Sequence, residues 1–134
     1  PGVSGWREPA VALDARIEAH EPDRQLTVIA AGDLSLEVPA IAAAPGAPVR
    51  IQIAAREIIL ASRRPEGLSL HNIVEAEVVT IEPAAHAALR LVHLRVGATR
   101  LLSLVTVDAE RKLGLAPGKP VLALVKAVAV EAFA

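Results

Sequence analysis

The sequence predicts an all-β protein with short helices, built as two small barrels in tandem, and three observations carry that expectation. The chain repeats itself: APGKPVLALVKAVAV at residues 116–130 follows APGAPVRIQIAAREI at 44–58. Ala44, Pro45, Gly46, Pro48, Val49 and Ala55 recur as Ala116, Pro117, Gly118, Pro120, Val121 and Ala127. A Pro-Gly turn feeding an apolar, β-branched run reads as a turn into a strand, and two copies mean a duplicated β module. Apolar residues make up 53% of the chain and aromatics only 1%. The core must then be Val, Ile, Leu and Ala, which suits strands and tight packing better than a ring-lined pocket. Turn signals recur about every ten residues, the spacing of short strands in a barrel. At 134 residues the chain holds two modules of roughly sixty residues sharing a core.

Residues 1–10, with the sole Trp6, read as a lead-in, and Trp6 is the candidate anchor on the first module. The first module is expected over 11–62. Val11, Leu13, Ala15, Ile17 and Ala19 alternate with Asp14, Arg16 and Glu18, the period of a half-buried strand. Glu21-Pro22-Asp23 turns the chain into a strand from Leu26 to Ala31, and Gly32-Asp33 turns it again into Leu34–Val38. The segment Pro39–Ala44 is too short for a helix. Pro45-Gly46 opens a strand from Val49 to Ile53 that the pattern allows to continue to Leu60.

Residues 63–68, within the run ASRRPEGL, are the expected connection, and the second module is expected over 69–134. Its strands run Ile73–Ile81, Leu89–Val96 and Arg100–Thr106, with Glu82-Pro83 repeating Glu21-Pro22 and a turn at Gly97-Ala98. The second copy is longer by about eleven residues, which include DAERKLGL. Asp108 is the expected cap of a short helix there, and Gly114 its left-handed end. Five short strands and one short helix per module form a Greek-key barrel of the OB type.

The net charge of −1 and the near absence of aromatics argue against nucleic-acid binding, which needs a basic face and stacking rings. There is no cysteine, so neither a disulfide nor a thiolate metal site forms. His20, His86 and His93 lack a ligand spacing and are expected at the surface. The sequence holds no Gly-x-x-x-x-Gly-Lys-Ser/Thr and no Gly-x-Ser-x-Gly, so no enzyme is expected in this chain. No apolar run reaches bilayer length, and no charged leader opens the chain. Pro1 at the first position fits a piece of a longer cytoplasmic protein.

One place invites chemistry. A helix start after Thr106 presents unpaired N–H groups, and Thr106 and Lys126 add a hydroxyl and an ammonium, a set that suits a tetrahedral oxyanion. The bland alternative makes Thr106 an ordinary cap and Lys126 a solvated strand end. Lys126 stands where the first copy has Ala54.

Ser69-Leu70-His71-Asn72, together with LSLVTVDAERKLGLAPGKPVLALVKAVAV and the junction IAAREIILASRRPEGLSLHNIV, resembles the Mop or TOBE modules that bind molybdate. The tandem resembles the di-Mop domain at the C-terminus of the ATP-binding subunit of molybdate ABC transporters. It covers residues 11–130 and is stronger in the second copy. The resemblance implies an OB-like barrel pair, a homodimer and oxyanion sites between modules. Its Ser-Ala-Arg-Asn motif falls on Ser69 and Asn72, with His71 in the arginine position. Its Thr-x-x-Ser falls on Thr106 and Ala109, and its lysine on Lys126 followed by Ala127, with Val128 where a serine is common. An Arg is a permanent bidentate fork, whereas a histidine is largely neutral at pH 7 and offers one donor, so weaker or pH-dependent binding is implied. In the first copy Glu8, Val38 and Ala54 take the corresponding places and offer an anion nothing.

The resemblance therefore implies molybdate, or near-isosteric tungstate, as ligand of Ser69, His71, Thr106, Lys126 and Ala127, with no further cofactor and no metal ion. It implies an attached ABC ATPase, a membrane permease beyond it, and a cytoplasmic place at the inner membrane. The alternative is a structural dimerisation module that has lost its ligand.

Overall fold

The computed structural model describes residues 8–133, and the expected anchor Trp6 lies outside the described residues. Strand alternation appears as expected in β1 (Ala10–Glu21), where Ala15 and Ile17 are buried between exposed neighbours. A bulge between Ile17 and Ala19 in the pairing with β2 (Leu26–Ala31) then shifts the register. The extra residue reverses the faces. Ala19, expected inside, is exposed, and His20, expected at the surface, is half-buried. There His20 Nε2 donates to the Ala43 carbonyl at 2.6 Å while Nδ1 meets the buried Thr27 hydroxyl at 3.0 Å. The same bulge recurs between Val78 and Thr80 in β6 (Asn72–Pro83), where it pairs with β7 (Leu89–Val96).

β3 (Leu34–Pro39) and β4 (Pro48–Ala54) complete the first run of strands, and β8 (Thr99–Thr106) and β9 (Pro120–Val125) the second. The α-helix α1 (Val107–Leu113) occurs in the second copy alone among the described residues, so the expectation of one helix per module is corrected. In the first copy the shorter stretch between Pro39 and Pro48 spans the same gap without a helix.

The strand expected to run on from Val49 to Leu60 breaks at a 3-10 turn, Ala55–Glu57. Beyond it β5 (Ile58–Ala61) leaves the first sheet and pairs with β9 in the second. The second copy does the reverse: after the turn Ala127–Ala129, β10 (Glu131–Phe133) pairs with β4. The sheet orders are β10, β4, β1, β2, β3 and β5, β9, β6, β7, β8. Each copy thus lends its last strand to the other. Ala55 and Ala127 sit buried in the two crossings, 0% and 7% exposed.

The second sheet curls until its edge strands meet, and the buried Ser103 hydroxyl on β8 donates to the Ile58 carbonyl at 2.7 Å. Equivalent hairpin turns of the two copies also clasp. The Asp33 carboxylate accepts from the Ala98 N–H at 3.1 Å, and the Thr99 hydroxyl donates to the Ala31 carbonyl at 3.0 Å. Gly97 is required at this contact, since its φ is +60 and an added Cβ would collide with the Asp33 carboxylate. A single buried cluster runs through both sheets, with Ile17, Ile51 and Ile53 from one and Val92, Leu94 and Leu101 from the other. The fold is therefore a pair of interlocked all-β barrels of the OB-like kind.

Candidate functional site

The β6–β9 register is the starting point. Asn72 pairs with Val125, so His71 and Lys126, the next residues outward on each strand, stand side by side at one end of the second sheet. Ser69 precedes His71 by two residues, and Ala127 follows Lys126 into the crossing turn. Ser69, His71 and Lys126 are exposed, and Ala127 is buried. Lys126 has extended backbone, φ −65 and ψ 137, and forms no ion pair or side-chain hydrogen bond among the described residues. The first copy offers the contrast. Ala10 pairs with Ala54 at the equivalent place, so neither of these two positions offers a side-chain donor or a cation, and the nearby Arg56 is tied to Glu8.

Asn72 itself, 5% exposed, organises this end. Its Oδ1 accepts from the Glu37 N–H at 2.7 Å, and its Nδ2 donates to the Glu37 carbonyl at 2.9 Å and the Val125 carbonyl at 3.1 Å. One amide thus joins β3 of the first sheet to β6 and β9 of the second. Sequence reasoning placed Asn72 in the motif but missed this role. A buried amide with several backbone partners is the type of signal that could have found it.

Thr106 lies elsewhere. β6 and β8 both run antiparallel to β7 and hence parallel to each other, so the end of β8 is remote from the start of β6. Arg100 is level with Arg95 and Glu77, and at ~3.3 Å per residue the stretch from Arg100 to Thr106 spans ~20 Å. Thr106, not Asp108, caps α1, its hydroxyl accepting from the Ala109 N–H at 3.0 Å. The other end of α1 is Gly114 in the left-handed region, as expected. Strand register also puts Ile41, not Val38, at the first-copy place of Thr106, because Leu26 faces Pro39 as Leu91 faces Leu104. The register therefore sets His71 beside Lys126, with Ser69 and Ala127 following from them along the chain, and leaves Thr106 at the far end.

Glu37, which Asn72 holds by its backbone, adds a charge that sequence reasoning also missed. Its carboxylate accepts from Arg24 Nη1 at 2.6 Å and Nη2 at 3.0 Å, and the same guanidinium reaches Glu21. Hydrogen bonds from Arg24 hold the Glu37 carboxyl below its ordinary value against the opposing effect of burial, and nearby His71 acts in the same direction. Those bonds also raise Arg24 further above its already high value. Elsewhere, a surface cleft of about 700 Å³ on the second barrel is lined by Arg63, Arg64, Glu75, Glu77 and Arg95, among others, and contains none of the candidate residues. No helix among the described residues is long and apolar enough to cross a membrane.

The TOBE domain family matches residues 68–132. Over 98% of its length the chain is 37% identical to the molybdenum import ATP-binding protein ModC of Granulibacter bethesdensis, covering 38% of that protein. It is 35% identical over 95% of its length to the protein of that name from Rhizobium meliloti, covering 35% of it. The chain thus spans little more than a third of these relatives. Among solved structures it is similar to the cytoplasmic molybdate-binding protein ModG with molybdate bound, with a TM-score of 0.75, 26% identity and coverage of 92% of this chain and 94% of that one. Taken with the paired barrels, these likenesses mean that the chain belongs to the TOBE-domain family, in the form that molybdenum import ATP-binding proteins carry.

Proposed function

We propose that this chain is an oxyanion-binding, regulatory and dimerising domain of a molybdenum importer's ATP-binding subunit. Molybdate, or tungstate of nearly the same shape, is held at the end of the second barrel by the Ser69 hydroxyl, His71, the Lys126 ammonium and the backbone at Ala127. The observation that carries this reading is the β6–β9 register, which sets His71 beside Lys126, itself unpaired among the described residues, in a fold shared with a molybdate-bound protein. An ammonium and hydroxyl donors suit an anion that accepts from every side. Thr106 joins the site from a second copy, since its own chain carries it away from Lys126. A ligand shared between copies favours one arrangement over another, which is how cytoplasmic oxyanion would bias the attached ATPase and, through it, the membrane permease. Nucleotide hydrolysis belongs to the portion of the relatives outside the matched third.

Titration calorimetry with sodium molybdate tests the assignment. Binding that Lys126→Ala abolishes supports it, and binding indifferent to that change removes it. A second reading, a dimerisation module without ligand, is favoured by Ala109 and Val128 in place of the resembled serines. It predicts a stable dimer whose melting temperature neither molybdate nor tungstate raises at millimolar concentration.

A further inference from the structure

We propose that Glu37 and Arg24 of the first copy form an electrostatic gate on the oxyanion site of the second: Glu37 opposes the anion, and Arg24, by holding Glu37, sets how strongly. The inference rests on the oxyanion reading of Ser69, His71 and Lys126. Its ground is geometric. Asn72 fixes the Glu37 backbone at 2.7 and 2.9 Å, and His71 adjoins Asn72, so β3 runs past the segment that carries the candidate ligands. Leu36 and Val38 are buried, so alternation turns the Glu37 carboxylate outward, as it turns His71 outward beside buried Asn72. The turn that follows Lys126 packs on the same strand.

The charges then decide the matter. Arg24 and Lys126 are balanced by Glu21 and Glu37, so a divalent oxyanion meets no net positive charge from these four groups. The resembled motif has an arginine at the position of His71. Here the guanidinium at this junction belongs to Arg24, and it is committed to two carboxylates. Neutralising Glu37 deletes one repelling charge and leaves the fork held by Glu21 alone. Removing Arg24 leaves Glu37 bare. The pair is partly exposed, with side chains 47% and 25% accessible, so its loss leaves the fold intact.

Titration calorimetry of the purified protein with sodium molybdate reads the gate directly. Glu37→Gln tightens binding about fivefold or more, and Arg24→Gln weakens it by a similar factor, the order expected for one charge removed near a divalent anion in a watery medium. A purely structural ion pair would shift binding the same way when either partner is lost. Shifts of opposite sign therefore support the gate, and so does a wild type that fails to bind beside a Glu37→Gln variant that binds. Unchanged or same-signed shifts, with Lys126→Ala still abolishing binding, overturn the gate and leave the site standing. Absence of binding in wild type and Glu37→Gln alike overturns both. Should Arg24→Gln fail to fold, Arg24→Met replaces it, removing the charge while keeping an aliphatic stem, and binding no weaker than wild type then counts against the gate.

Discussion

The side-chain amide of Asn72 holds both the backbone N–H and the backbone carbonyl of Glu37, across the junction of the two barrels. The same amide reaches the Val125 carbonyl, so the residue beside the candidate ligands is also the one that locks the barrels together. Asn72→Ala leaves these backbone groups without the partner, and the loss expected is about 2–4 kcal/mol. Urea unfolding measures it, and a change below about 0.5 kcal/mol would contradict the clamp.

The clasp between hairpin turns makes a second prediction. Gly97→Ala forces a Cβ into the Asp33 carboxylate and holds alanine at positive φ, costing at least about 1–2 kcal/mol. Asp33→Ala removes the bond to Ala98 and costs about 1 kcal/mol. In the double variant the contacts with the carboxylate are gone and only the one with the Cβ of residue 33 at 2.9 Å remains, so its loss is smaller than the sum of the single losses. A strictly additive cycle by thermal unfolding would argue against the contact.

Strand exchange predicts how the molecule unfolds. Ile51 is fully buried in β4, between the borrowed β10 and β1, and Ile51→Ala is expected to cost about 2–5 kcal/mol. Because each sheet contains a strand of the other copy, calorimetry should show one transition moving as a unit. Two separated transitions would mean that the barrels are thermodynamically independent.

The Glu37 carboxyl is held below its ordinary value, chiefly by Arg24. A depressed folded-state value contributes stability that is present above the ordinary carboxylate range and lost as pH falls through the folded-state value. The stability difference between wild type and Glu37→Gln should therefore be constant near neutrality and shrink only in acid, below the ordinary carboxylate range. A difference that instead grows on acidification would reverse the sign and refute the pairing.

Much of this was legible in the chain. Flanking turns located β2 to the residue and alternation located β7, because solvent on one face and core on the other leave a period of two, and Gly114 marked the left-handed end of α1. The bulge at Ile17 and Ala19 has no signature of its own, so the inward turn of His20 was not legible. Nor was the strand exchange, since Ala54 and Ala55 read as a continuing strand until the partner sheet shows why the chain crosses there. The site suffered from the same blindness. Thr106 and Lys126 belong to one repeat, yet strand direction separates them, while Glu37 and Arg24 belong to the other repeat, and Asn72 is what ties Glu37 to this end of the second sheet.

That separation predicts complementation. If Thr106 reaches the site from a second copy, a dimer mixing Lys126→Ala chains with Thr106→Ala chains keeps one site intact, while each variant alone keeps none. In a freely exchanged equimolar mixture about half the dimers are mixed, so calorimetry should recover molybdate binding at about a quarter of the wild-type capacity. No recovery in a mixture shown to exchange subunits would contradict a shared site.

The most direct measurement is the anomalous scattering of molybdenum in a crystal grown with molybdate. A peak is expected within hydrogen-bonding reach of Lys126 Nζ and the Ser69 hydroxyl, beside His71. A peak at the cleft of Arg63, Arg64 and Arg95, with none near Lys126, would contradict it.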